Sequence, residues 1–251
     1  MRTVAVVLAG GSGQRFGSGL PKQLLPLTGR TLIEHSVAAF EEAPDVAAVL
    51  VVMAAGHSTH VAELLKAGGY QKVMGVIEGG ASRPDSTWRA IAELCRTDLG
   101  PTNLGRTDLG RTDLGQEECD VLFHDAARPL VDQRIIADCV RALRTHEAVG
   151  VVVPASDTIV IVDNDVMTSM PRRDRMRHCQ TPQGFRLQVI RRAYELALAD
   201  PAFTDLASTD DCGVVLRYLP EVTIAVVPGS ERNMKITYPD DLRVAESLLK
   251  H

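Results

Sequence analysis

Residues 4–27 read VAVVLAGGSGQRFGSGLPKQLLPL. The run Val4 to Leu8 is short, apolar and β-branched, the signature of a strand buried on both faces of a parallel sheet. It breaks into Ala9-Gly10-Gly11-Ser12-Gly13, where missing Cβ atoms let backbone N–H groups come close to a ligand. Arg15 and Lys22 follow, the lysine directly after Pro21. A strand, a glycine-rich loop and two cations make a candidate cradle for a polyphosphate. The P-loop pattern GxxxxGK[ST] does not occur here. The dinucleotide pattern fits only in part, because its third glycine is displaced to Gly17. Such a turn can also be a plain strand-to-helix connection; the two cations favour the ligand.

Downstream, Thr31 to Phe40 has apolar residues at helical spacing, with Thr31 as cap and Glu34 completing a capping box. Strand-like runs at Val46 to Met53 and Lys72 to Ile77 flank a helical stretch, His57 to Lys66. The alternation predicts an α/β fold, a Rossmann-like, mostly parallel sheet with helices on both faces. The third strand ends in EGGASRPDS (78–86), a second glycine-bearing loop in which Ser86 is expected to cap a helix Thr87 to Cys95. Open α/β sheets bind ligands beyond the carboxyl ends of their strands, so both loops fall on one edge.

Residues 96–115 are tandem pentapeptides, RTDLG-PTNLG-RTDLG-RTDLG. A period of five with a glycine in each unit suits neither helix nor strand, and too few copies are present for a solenoid. They are read as an inserted surface loop without a catalytic role. Residues 1–251 are expected to form one domain that carries this insert.

Asp120 to His124 reads as a strand leading into Asp125-Ala126-Ala127-Arg128-Pro129. An acid there suits a metal or phosphate edge; an aspartate paired with Arg128 as a helix cap is the alternative. Helix Gln133 to Thr145 and strand Gly150 to Pro154 follow. Between about 155 and 177, short β-like runs flank Asp163-Asn164-Asp165, a hairpin turn. A hairpin leaving the sheet cannot cover both of its own faces, which makes it a candidate dimerisation arm. Arg172, Arg173, Arg175 and Arg177 cluster at its base. Gln180 to Phe185, QTPQGF, reads as a turn into helix Leu187 to Leu198, and Ser208 to Cys212 as the cap of the next helix. After strand Thr223 to Val227, Lys235 and Thr237 are expected to alternate on one side of a short strand, with Pro239 opening the last helix.

The 251 residues carry 27 basic and 32 acidic side chains and only 4% aromatics. That argues against a nucleic-acid binder, which needs basic excess or stacking platforms. Five cysteines lack CxxC spacing, no leader pattern opens the chain, and no apolar run reaches membrane length. A cytoplasmic protein without membrane or nucleic-acid partners is expected.

Taken in order, LAGGSGQRFGSGLPKQ, EGGASRPDS, HDAARP, SDTI, QTPQGF, STDD and NMKITYPDDL resemble the cytidylyltransferase family that activates methylerythritol 4-phosphate or ribitol 5-phosphate. The resemblance covers the chain outside the pentapeptides. It implies transfer of CMP from CTP to a polyol phosphate, with pyrophosphate released, Mg²⁺ as divalent cofactor and a homodimer. It also implies that Ala9, Gly10, Gly11, Gly13, Gly80, Ser86, Ala126 and Arg128 bind the nucleotide, and that Arg15, Lys22 and Lys235 are catalytic. Asp125, Thr158, Arg173, Thr209 and Thr237 would line the acceptor pocket, Thr158 and Arg173 reaching the partner's site, with Asp125 also a metal ligand. The acceptor phosphate is itself an ionised nucleophile, so fixed cations matter more than a general base. LAGG stands where methylerythritol-phosphate enzymes often have PAAG, and Ala81 where an acid is frequent. LAGG, together with MPRRDRMRHCQTPQ and TDDC, leans toward the ribitol 5-phosphate enzymes, which leaves that acceptor as the alternative to methylerythritol phosphate. A different base, or a CTP sensor without turnover, is the remaining reading.

Overall fold

The opening valines form strand β1, Arg2–Ala9, whose side chains from Val4 onward are buried on both faces. The computed structural model describes residues 1–10, 21–95, 119–203 and 210–250. The expectations placed on Gly11, Gly13, Arg15, Thr209 and the pentapeptides therefore lie outside the described residues. After β1 come a two-strand hairpin, β2 Pro26–Leu27 and β3 Arg30–Thr31, then α1 Leu32–Glu42, β4 Ala48–Met53, α2 Ser58–Ala67 and β5 Val73–Glu78. The middle holds α3 Arg83–Cys95, β6 Cys119–Asp125, α4 Gln133–Leu143 and β7 Ala148–Pro154. The rest is β8 Ile161–Asp163, β9 Val166–Ser169, β10 Arg177–Arg186, α5 Leu187–Ala199, α6 Asp211–Tyr218, β11 Ile224–Pro228 and α7 Pro239–Leu249.

The main sheet has seven strands in the order β11-β7-β10-β6-β1-β4-β5. All neighbours are parallel except β10, which is antiparallel to both β6 and β7. Side chains alternate across β1 with the period of two that a strand dictates. Val4, Val6 and Leu8 pack with Ile91 of α3, Ile190 and Tyr194 of α5, and Val214 of α6. Ala5, Val7 and Ala9 pack with Val37 and Phe40 of α1, Leu65 of α2, and Ile135 of α4. Helices thus cover both faces, as the alternation predicts. Each fully buried valine contributes roughly 1.5–3 kcal/mol relative to exposure. A smaller cluster of Leu27, Leu32, Ile236 and Ala245 fastens α7 to the small hairpin.

The expected capping box is present: Thr31 Oγ1 accepts from Glu34 N at 3.3 Å, and Glu34 Oε2 accepts from Thr31 N at 2.8 Å. Three expectations need correction. QTPQGF is no turn but part of β10. Its proline is tolerated because the ladder with β7 shifts register between Gln180 and Gln183, leaving Thr181 and Pro182 as a bulge. The helix at EGGASRPDS starts earlier than expected, at Arg83. Its cap is Ser82, whose Oγ accepts from Asp85 N at 3.2 Å while Asp85 Oδ2 accepts from Ser82 N at 3.1 Å. Lys235 and Thr237 lie in irregular backbone, not a strand.

The hairpin expected at Asp163-Asn164-Asp165 is β8–β9, paired antiparallel. Asn164 and Asp165 have φ of 48° and 61°, the left-handed pair that a tight hairpin turn with matching twist requires.

Candidate active site

The register brings the strand ends into a row: Leu8 sits opposite Asp125, Ala9 opposite Met53, and Met53 opposite Glu78. The loops that follow β1, β5 and β6 therefore open on one edge of the sheet. Ser86, buried in the first turns of α3, fastens the loop after β5 and lies against Gly10 at the end of β1. Its Oγ accepts from Gly80 N at 3.1 Å and donates to Ser82 O at 2.9 Å. A Cβ on Gly10 would lie 3.0 Å from that same oxygen, and one on Gly80 would collide with Asp85. Glycine is needed at both places for close approach. Ser86 is thus a brace inside the loop after β5 and not the helix cap.

Lys22 opens a single 3₁₀ turn after Pro21, and its Nζ donates to Ile236 O at 2.8 Å. Ile236 is itself fixed: its side chain is buried and its N–H donates to Ala127 O at 2.7 Å. The neighbouring Lys235 sends its Nζ to Asp125 Oδ2 at 2.7 Å. The segment 235–236 thus joins Lys22, through the Ile236 carbonyl, to the carboxyl end of β6, which Lys235 reaches at Asp125. Ala126 is held there by its backbone, N–H to Leu8 O at 2.9 Å and C=O from Ser36 Oγ at 3.1 Å.

The other residues singled out from the sequence are placed differently. Arg128 turns its guanidinium to Asn233 O at 2.8 Å and Cys179 O at 3.3 Å. Asp125 ion-pairs with Arg83 and Lys235, so the alternative of an Asp125–Arg128 cap is not what forms. Thr237 Oγ1 donates to Lys235 O, and its N–H donates to Asp241 Oδ2 at 2.7 Å, in the approach to α7. Thr158 is exposed at the base of the β8–β9 arm. Arg173, exposed there too, donates to Ser156 O at 3.4 Å. No group of three or more His, Cys, Asp or Glu side chains able to hold a metal occurs among the described residues.

Arg83, Asp211 and Tyr194 were not singled out, yet they back the site. Arg83 Nε meets Asp125 Oδ1 at 3.4 Å, and its Nη2 meets Asp211 Oδ2 at 2.8 Å. Tyr194 Oη donates to the other oxygen of Asp211 at 2.7 Å. Gln183 Oε1 accepts from Asp211 N and Cys212 N, both at 3.0 Å, and fixes the start of α6. A usable signal existed for Arg83: a cation in the first turn opposes the helix dipole, so something else must hold it. Burial alone would raise the carboxyl of Asp125, but Arg83 and the hydrogen-bonded Lys235 hold it well below the usual range. Burial works against the charge of Arg83 too, and Asp211 and Asp125 more than offset it.

His124, fully buried, touches Arg128 O through Nε2 at 3.1 Å and Thr181 Oγ1 through Nδ1 at 3.0 Å. A carbonyl only accepts, so Nε2 carries the proton and Nδ1 accepts from the threonine hydroxyl. Thr181 Oγ1 in turn accepts from Asp125 N at 3.1 Å. Burial pushes the imidazole down to about 4. The unfolded chain, with an ordinary value near 6.5, takes a proton that the fold refuses. This contribution is therefore complete above pH 6.5 and is lost as pH falls towards 4. Between pH 7.5 and 4.5, urea unfolding of the native protein should lose about 2–3 kcal/mol more than that of His124→Gln. Equal losses in the two proteins would refute this assignment.

The profile of the 2-C-methyl-D-erythritol 4-phosphate cytidylyltransferases matches residues 3–99 and 108–251; the skipped stretch lies within the pentapeptides. A Thermobifida fusca protein named 2-C-methyl-D-erythritol 4-phosphate cytidylyltransferase is 49% identical over 254 residues, covering 99% of this chain and 94% of its own. A Haemophilus influenzae protein named bifunctional ribulose 5-phosphate reductase/CDP-ribitol pyrophosphorylase is 34% identical, covering 99% of this chain and 48% of its own. The crystal structure of 4-diphosphocytidyl-2C-methyl-D-erythritol synthase from Anaerococcus prevotii aligns with a TM-score of 0.79 at 25% identity, covering 100% of this chain and 96% of its own.

Proposed function

This chain belongs to the 2-C-methyl-D-erythritol 4-phosphate cytidylyltransferase family, and from that premise we propose the following reaction and roles. The enzyme transfers CMP from CTP to 2-C-methyl-D-erythritol 4-phosphate. A phosphate oxygen of the acceptor attacks the α-phosphorus of CTP, the bond from that phosphorus to the bridging oxygen breaks, and pyrophosphate leaves. The observation that supports the reading is the segment 235–236, which takes the Lys22 ammonium on its Ile236 carbonyl and sends Lys235 to Asp125 at the carboxyl edge of the sheet.

The obstacle in this reaction is repulsion between two anions, and fixed ammonium groups lower it where charge builds up. Lys22 and Arg15 hold the triphosphate, and Lys235 faces the acceptor side. The loop glycines, Gly10 and Gly80 among them, let the nucleotide lie close against the backbone, with Ser86, Ala126 and Arg128 beside it. Asp125, Thr158, Arg173, Thr209 and Thr237 receive the acceptor. The donor set fits Mg²⁺ carried by the nucleotide: such an ion keeps waters and phosphate oxygens and needs few protein carboxylates. Asp125 is the carboxylate that would hold it, and when bound the ion neutralises phosphate charge.

The β8–β9 arm supports a homodimer. Val162 and Val166 are 53% and 63% exposed, and an isolated two-stranded hairpin is marginal without a surface to cover it. A second copy of this chain is the assigned occupant, placing Thr158 and Arg173 at the partner's site. No helix among the described residues is long and apolar enough to cross a membrane, and we assign the enzyme to the cytoplasm.

Pyrophosphate release should be followed with CTP, Mg²⁺ and either methylerythritol 4-phosphate or ribitol 5-phosphate, then with ATP, GTP or UTP replacing CTP. The expected result is release with CTP and methylerythritol 4-phosphate. The Haemophilus relative's printed name supports ribitol 5-phosphate as second reading, and faster release with that acceptor would install it. CTP-dependent thermal stabilisation without release from either acceptor would leave a sensor and overturn the enzyme assignment.

A further inference from the structure

We propose that Arg83 is a positioning residue, and that Tyr194, Asp211, Arg83 and Asp125 form a chain of alternating donors and acceptors that sets where the Lys235 ammonium sits. The inference rests on the cytidylyl transfer proposed above. Its links are Tyr194 Oη to Asp211 at 2.7 Å, Arg83 to Asp211 at 2.8 Å, Arg83 to Asp125 at 3.4 Å, and Lys235 to Asp125 at 2.7 Å. The chain starts in the core and ends in solvent. Tyr194 and Asp211 are fully buried, whereas the Lys235 side chain is 45% exposed.

Lysine has a flexible stem and a compact charge, so an exposed ammonium does not hold one position unaided. The partner that fixes it is Asp125, and the group that fixes Asp125 from the opposite side is the planar guanidinium of Arg83. With Nε on one carboxylate and Nη2 on another, the plane of that guanidinium is determined, which a lysine there would not achieve. Asp211 is anchored independently through Gln183, which accepts from its backbone N–H. Arg83 is also the first residue of α3, directly after the Gly79 to Ser82 loop. One side chain therefore links the nucleotide loop to the acceptor side.

The competing account is that Arg83 only neutralises the buried Asp211. A double-mutant cycle separates the two. Arg83→Met, Asp125→Asn and the double variant are assayed by pyrophosphate release at saturating CTP and methylerythritol 4-phosphate, beside Arg83→Lys. In the native background Arg83→Met should lower kcat roughly 10- to 100-fold, the scale of a small misplacement of a catalytic group. In the Asp125→Asn background, with the link already cut, the same change should cost less than about threefold. Arg83→Lys should recover thermal stability but not kcat, because charge returns without the fork.

Equal fold-losses in both backgrounds, or an unchanged kcat in a folded Arg83→Met protein, would overturn the proposal. If Arg83→Met does not fold, Tyr194→Phe takes its place in the cycle. It removes one hydroxyl and should lower kcat by up to about 10-fold in the native background and by nothing further beside Asp125→Asn. A native protein that releases no pyrophosphate sinks the underlying reaction, and this inference with it. An active native protein with additive losses sinks only the positioning role.

Discussion

Lys22→Ala lowers kcat/KM for CTP by roughly 10²–10³-fold, with most of the loss in kcat, and leaves the fold intact. That size is the 2.7–4 kcal/mol typically lost with one donor aimed at developing transition-state charge. The ammonium is held by Ile236 O, so it is in place before substrate arrives. The Ile236 segment does not depend on that contact, because its buried side chain and its N–H to Ala127 O remain. The thermal midpoint should therefore stay within about 3 °C of the native value, a shift of about 1 kcal/mol in a chain of this size. Initial rates of pyrophosphate release and a melting curve check both halves. A Lys22→Ala protein with native rates would remove Lys22 from the site.

Asp211→Ala is the change with the largest expected effect on stability, about 3–5 kcal/mol, lowering the thermal midpoint by roughly 6–20 °C. Removing this carboxylate strands the Tyr194 hydroxyl and leaves the Arg83 guanidinium with only its longer contact to Asp125, and breaking a buried ion pair from one side is among the costliest point defects. Distance alone would rank the pairs wrongly. Arg172 and Asp174 approach to 2.6 Å, closer than Arg83 and Asp211, but their side chains are 76% and 61% exposed. Solvent and entropy reduce such a pair to at most about 1 kcal/mol. Asp174→Ala is accordingly the control, expected to melt within a few degrees of the native protein. Calorimetry on the two variants distinguishes burial from proximity as the source of stability.

Much of the frame was legible because local chemistry and tertiary context agree. The valine run of β1, the Thr31–Glu34 box and the hairpin turn at Asn164-Asp165 each announce themselves within a few residues. The antiparallel strand β10 did not, for a definite reason. Its buried positions include Gln180, Thr181 and Gln183, polar residues interrupted by a proline, where a central strand is expected to be apolar and proline-free. They are tolerated there because they are bonded: Gln180 to Ser230 and Asn233, Gln183 to Asp210, Asp211 and Cys212. Of the site, Lys22, Asp125 and Lys235 were readable as cations and an acid flanking loops at one sheet edge. The pairing of Arg83 with Asp211 was not, since no periodicity links residues so far apart in sequence. Lys235 and Thr237 show the converse error. An alternating pattern suggested a strand, but Ile236 is pinned into a separate small cluster and leaves the backbone irregular.

The placement of β10 has a consequence for how the protein is made. Synthesis completes β6 and β7, the two walls of the central slot, before the strand that fills it exists. Until the chain has run out through β8 and β9 and returned, both walls present bare ladders of N–H and C=O groups at the middle of the sheet. A nascent or truncated product ending in the arm would thus be a four-stranded sheet, β6-β1-β4-β5, with β6 as a bare border and β7 left without either of its partners, the kind of intermediate that chaperones shield. The excursion that carries the arm outward also delays the moment at which the molecule becomes one body.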